Sequence, residues 1–273
     1  MESYFMHQLK RILAWTGGIL FLIYAAICIY FYAAQDNILF QPAKLDANYQ
    51  YNFPGNYIEK KIKAVDGTVI GGLLFKSAAS KGLIFYLHGN GGALNTWGEI
   101  APAYTDLGYD VFMLDYRGYG KSEGKITNES VFYDDILAAY YELKALYPEN
   151  KIIVLGYSIG TAPAAMLAAR NNPKMLILQA PYYSMTDMLK RTYPMLPSFM
   201  LKYPLRTYEF VKATKAPVII FHGDADQVIP YESSLKLKEL FKPGDQLITL
   251  KGQGHNRITK NQDYLDALKK LLE

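Results

Sequence analysis

Residues 151–170 hold the stretch that most limits how this chain can fold. Lys151-Ile152-Ile153-Val154-Leu155 is a β-branched apolar run, Gly156-Tyr157-Ser158-Ile159-Gly160 follows it directly, and residues 161–170 are rich in alanine. A β-branched run closed by glycine reads as a buried strand and the alanine-rich stretch as a helix, so Ser158 falls on the turn between them. A turn that sharp has no room for side chains at the flanking positions, and it lifts the strained serine above the sheet as a nucleophile elbow. The pattern alone is not rare; the strand before it and the helix after it give it meaning.

A serine hydroxyl needs a base, and the composition keeps that search short. The chain has 273 residues, four histidines and one cysteine. That length suits one large α/β domain with a well-buried core. The single Cys28 rules out an internal disulfide and a cysteine-based metal site. The formal net charge is only +4, with Lys and Arg scattered, so no nucleic-acid partner is expected. Aromatic residues make up 14%, mostly tyrosine, which fits a surface or pocket of amphipathic rings.

Residues 12–34 carry no charge, a run long enough to cross the hydrocarbon core as a helix. Trp15 stands near one end and Tyr30, Phe31 and Tyr32 near the other, as in an aromatic belt. Lys10 and Arg11 precede the run, so residues 1–11 are expected in the cytoplasm and the rest of the chain on the periplasmic, extracellular or lumenal side. A cleaved signal peptide is the competing reading, but its apolar region is shorter and Ala33-Ala34 is a weak cleavage site. Residues 35–56 read as a polar neck, and 57–273 as the domain.

Within the domain, 57–65 and 68–76 read as a hairpin around Asp66-Gly67. Strands follow at 81–87, 109–114, 174–179, 216–221 and 246–250, with helices at 93–107, 130–147, 231–241 and 260–272. Such alternation predicts an α/β fold with a mostly parallel sheet covered by helices on both faces, and an active site at the carboxyl ends of its strands. An irregular, Met- and Tyr-rich insert occupies about 182–210.

His7 precedes the apolar run, and His88 and His222 close strands, where a packed histidine bonding the backbone is the ordinary expectation. His255, in Gly252-Gln253-Gly254-His255-Asn256, is the only histidine downstream of both the serine and a suitable acid. The loop His222-Gly223-Asp224-Ala225-Asp226 offers two acids; Asp224 is the nearer to the strand, and spacing leaves both open. An oxyanion would need two backbone amides, expected from Ile159 and from the glycine turn His88-Gly89-Asn90-Gly91-Gly92, at Asn90.

Together the segments Gly-Tyr-Ser-Ile-Gly, His-Gly-Asn-Gly-Gly, Asp-Tyr-Arg-Gly-Tyr-Gly-Lys-Ser, His-Gly-Asp-Ala-Asp-Gln-Val-Ile-Pro and Gly-Gln-Gly-His-Asn resemble the α/β-hydrolase superfamily, from about residue 57 to the C-terminus. They are similar to its membrane-anchored serine-hydrolase branch, with depalmitoylase-like and esterase-like members. The resemblance implies Ser158 as nucleophile, His255 as base and Asp226, before Val-Ile-Pro, as acid. It also implies that the insert is a cap over the serine. The apolar side chains there suit a small-molecule or lipid-like acyl substrate, and Lys190, Arg191, Lys202 and Arg206 suit phospholipid headgroups. The expectation is an anchored esterase or thioesterase without metal or cofactor. The alternatives are a serine peptidase and a non-catalytic tethered binding protein.

Overall fold

A computed structural model describes residues 2–273. Its first element, α1 (Glu2–Leu39), is a helix of 38 residues most of whose side chains are exposed. The domain behind it is one eight-stranded sheet in the order β1-β2-β4-β3-β5-β6-β7-β8 among the described residues. The strands are β1 (Asn56–Lys63), β2 (Val69–Lys76), β3 (Leu83–Leu87), β4 (Asp110–Leu114), β5 (Ile152–Tyr157), β6 (Met175–Gln179), β7 (Val218–Gly223) and β8 (Gln246–Leu250). The first two join antiparallel and the rest run parallel, as the alternation of the sequence predicts.

Ile152, Ile153, Val154 and Leu155 in β5 are fully buried because helices cover both faces, and each such side chain contributes about 2 kcal/mol of apolar burial. On one face lie α4 (Glu129–Lys144) and α5 (Thr161–Arg170), with α7 (Thr207–Ala213) packed closely against α5. The other face is covered by the short α2 (Leu94–Trp97) and α3 (Pro102–Thr105) and by the closing α9 (Gln262–Leu272). The helices α6 (Met185–Thr192) and α8 (Glu232–Lys238) complete the chain.

Four local expectations need correction. The helix expected over 93–107 is broken into α2, a 3-10 turn at Gly98–Ile100 and α3, because Gly98 lies against the Phe53 ring and Pro102 starts a new turn. The hairpin turn has three residues rather than two. Ala64 pairs with Thr68 and Gly67 closes it at φ +88°, the glycine-bulge form. The insert is not wholly irregular, since α6 opens with a Ser184 side-chain cap on the Asp187 amide.

The neck is the fourth. Residues 35–39 are the last helical turn, and Gln35 is buried there, donating to Met200 O at 2.7 Å and accepting from Lys202 N at 2.8 Å. Residues 40–45 then form a strap across the domain. Phe40 enters the core, Ala43 N donates to Gly92 O, Leu45 N donates to Gly120 O, and Gly120 N donates to Ala43 O. The neck therefore begins bound to the domain, the strap's backbone groups being bonded to two loops.

Candidate active site

The parallel register brings the ends of β3, β5, β7 and β8 to one edge, with Leu87 beside Gly156 and Gly223 beside Leu250. At that edge Ser158 leaves β5 at φ +52°, a conformation that costs a residue with a Cβ on the order of 1–3 kcal/mol. The turn closes only because its flanks are glycines. A Cβ on Gly156 would strike Gly160 O and Ala164 Cβ, and one on Gly160 would strike Leu87 O and His88 O. Thr161 Oγ1 donates to Ser158 O at 2.7 Å and Tyr182 OH to Ile159 O at 3.1 Å, bracing the turn from two sides.

Ser158, His255 and Asp226 are brought together in one row. Ser158 Oγ lies 3.0 Å from His255 Nε2, and His255 Nδ1 lies 2.7 Å from Asp226 Oδ2. The carboxylate accepts from Nδ1, so Nδ1 carries the hydrogen and the Nε2 lone pair faces the serine. Asp226 Oδ1 accepts from Val228 N at 2.8 Å and Ile229 N at 2.9 Å. Burial alone would push this carboxyl up, but its bonds to His222 and His255 together with those amides hold it well below the usual carboxylate range. Asp224 stands apart from the row. Its Oδ1 accepts from Gly252 N at 2.6 Å, tying the acid loop to the histidine loop.

The two candidate oxyanion amides differ in their supports. Ile159 N begins the turn leading into α5, where the helix dipole favours negative charge. Asn90 is fixed through its side chain, whose Oδ1 accepts from Gly91 N at 2.8 Å, Gln41 N at 3.0 Å and Tyr119 OH at 3.1 Å. No hydrogen-bond partner is seen for the Asn90 amide among the described residues. The strap that follows α1 therefore holds the glycine turn through both Gln41 and Ala43.

Residues 82–216 match the α/β hydrolase fold family. Alpha/beta hydrolase domain-containing protein 17B of Homo sapiens is 32% identical over 203 residues, spanning 72% of this chain and 68% of that protein. The chain belongs to the α/β-hydrolase family. Among solved structures, the Pyrococcus furiosus esterase Pf2001 matches this hydrolase with a TM-score of 0.68 at 20% identity, over 86% of this chain and 97% of that one. Est1E of Butyrivibrio proteoclasticus, solved with ferulic acid bound, matches with a TM-score of 0.64 at 22% identity, over 78% and 96%. At these identities the two structures share the fold.

Two supports of this hydrolase's site escaped the sequence reading. His222 is buried, as expected of a packed histidine, but its Nε2 donates to Ile229 O at 3.0 Å and sits 3.2 Å from Asp226 Oδ2. A carbonyl can only accept, so Nε2 carries hydrogen and also faces the acid, while Nδ1 meets Ser234 Oγ at 2.6 Å. Tyr157 OH donates to His255 O at 2.8 Å from 98 residues away, which no local pattern could announce. His88 is packed as expected: it donates to Gly89 O, its ring lies against Tyr116 and Trp97, and burial pushes it down to about 4. Lys202 is not free for headgroups, since it pairs with Asp36 at 3.4 Å over the Tyr32 ring.

Asp115 lies under the glycine turn, its Oδ1 accepting from Leu94 N at 2.9 Å and its Oδ2 without a partner among the described residues. Burial pushes this carboxyl up to about 7, against an unfolded value near 3.8. Between those values the folded state keeps a proton that the unfolded state has lost, so the Asp115 contribution is full below pH 4 and disappears as pH rises through 7. Chemical unfolding in detergent should show the native protein losing about 3 kcal/mol more than Asp115→Asn between pH 5 and 8. Parallel pH profiles for the two proteins would refute this. Taking the difference removes the opposing contribution of His88, which is common to both.

Proposed function

We propose that this chain is a membrane-anchored serine hydrolase that cleaves carboxylic esters or thioesters with an apolar acyl group. The observation that carries the reading is the row from Ser158 Oγ through His255 to Asp226 Oδ2, built on a strained turn between β5 and α5. Ser158 Oγ attacks the acyl carbonyl carbon while His255 Nε2 takes its proton. The carbonyl oxygen gains the charge and accepts from the amides of Ile159 and Asn90. His255 returns the proton to the departing alcohol or thiol, and water, activated by the same nitrogen, releases the acid from Ser158. Asp226 orients His255 and stabilises its imidazolium. Residues 12–34 would cross the bilayer, leaving residues 1–11 cytoplasmic and the domain on the opposite side. The apolar acyl preference is supported by a groove of about 350 Å³ lined by Phe31, Met185, Met188, Leu189 and Val228.

The test is covalent. The detergent-solubilised protein, treated with a fluorophosphonate probe and digested, should carry the adduct on the peptide containing Ser158. No adduct, or one on another residue, overturns the reading. Turnover of p-nitrophenyl esters should then rise with acyl length; faster cleavage of aminoacyl amides would favour a peptidase instead.

A further inference from the structure

α1 is too long for the membrane it would cross, and the excess fixes where the cap lies. Its 38 residues extend about 57 Å at 1.5 Å per residue, against a hydrocarbon core of roughly 30 Å. Lys10 and Arg11 cannot sit in that core, so it begins near Ile12 and ends about twenty residues later, near Tyr32. Tyr24 is then roughly 12 Å, and Cys28 roughly 6 Å, below the boundary on the domain's side, less any tilt.

The cap touches the helix at those levels. Tyr24 OH donates to Met195 O at 2.7 Å, Cys28 packs with Leu189 and Leu196, and the Phe31 and Tyr193 rings lie 6.3 Å apart. The tip of the cap therefore stands beside the span, below the headgroups, and its composition fits that depth. Residues 192–201 carry no charge, with Lys190 and Arg191 before them and Lys202 after. Three of their large side chains face outward, Phe199 88%, Met195 64% and Tyr193 51% exposed, a costly arrangement in water. Part of the backbone is also suited to a medium without water. The amides of Tyr193, Leu196, Met200 and Leu201 donate within the cap, Pro194 and Pro197 have none to satisfy, and the carbonyls of Met195 and Met200 accept from Tyr24 and Gln35 on α1.

We propose that residues 192–201 are embedded among the lipid acyl chains of the leaflet on the domain's side, so that the groove between α1 and the cap opens onto lipid rather than water. The proposal rests on the reading that α1 crosses a bilayer. The groove runs from Phe31 on α1 to Val228, whose amide holds Asp226, so an acyl chain entering from the leaflet would be led toward the acid loop of the site. A membrane-resident ester or thioester is the substrate this geometry fits.

The test uses the full-length chain in liposomes. Cys28→Ala removes the one cysteine, and Leu20→Cys, Phe199→Cys or Val65→Cys then places a single environment-sensitive fluorophore on the span, the cap tip or the distal hairpin. Phospholipids bearing a nitroxide on the acyl chain serve as quencher. The proposal requires blue-shifted emission and loss of intensity at 20 and 199, and neither at 65. Quenching at 20 with 199 behaving like 65 overturns the embedded cap and leaves the anchor standing. No quenching at 20 overturns the anchor and the proposal with it.

Discussion

Asp226→Asn is expected to lower ester turnover about 10⁴-fold with the serine still in place. The reason lies in how the carboxylate is held. Oδ1 accepts from two backbone amides, Val228 and Ile229, so an asparagine must put its carbonyl oxygen there. Its amide nitrogen then takes the place of Oδ2, facing His255 Nδ1 and His222 Nε2. A donor opposite Nδ1 selects the tautomer protonated on Nε2, and the lone pair that should receive the Ser158 proton is gone. Two donors also meet at His222, which should cost a further 1–3 kcal/mol of stability, on the order of one unsatisfied buried group. Asp224→Asn is the control, since an amide oxygen can still accept from Gly252 N, and its turnover should stay within a few-fold of native. The measurement is kcat/KM on a p-nitrophenyl ester for both variants. Similar losses for the two, or less than tenfold for Asp226→Asn, would remove Asp226 from the proposed mechanism.

Gly160→Ala should be the most damaging single-methyl change, on the order of 3–5 kcal/mol. The added Cβ would meet Leu87 O and His88 O, both main chain at the end of a central buried strand, so neither can swing aside. Relief would require moving the glycine turn away from Ser158, and activity should vanish with stability. Gly91→Ala provides the contrast. Gly91 has φ +76° but open space where its Cβ would go, so only the conformational cost of about 1–2 kcal/mol applies. Unfolding midpoints of the two variants in detergent decide the matter, and equal losses would mean that the close approach of elbow and turn does not limit stability.

Features that the sequence announces here are those whose cause is local. Glycine on both sides of Ser158 reflects a clash within the turn, and the apolar runs of β3 to β7 reflect burial on both faces. His255 could be singled out because so few histidines compete with it. Between Asp224 and Asp226, by contrast, spacing says nothing: both are loop aspartates accepting backbone amides, and which one meets His255 depends on how β7 and β8 lie side by side. Tyr157 and His222 are invisible for the same reason, since their bonds to the site are made across the fold or beside an ordinary backbone bond. The strap is not legible in the sequence, because a stretch of chain looks alike whether its amides face water or another loop.

That strap joins attachment to competence. Residues 40–45 are at once the exit from α1 and a wall of the glycine turn that carries Asn90, through the bonds of Gln41 and Ala43. A protease cutting there would free the domain and in the same stroke loosen the turn. Under the proposed mechanism a severed domain would have lost part of its site, so the oxyanion turn is complete only while the strap is joined to α1.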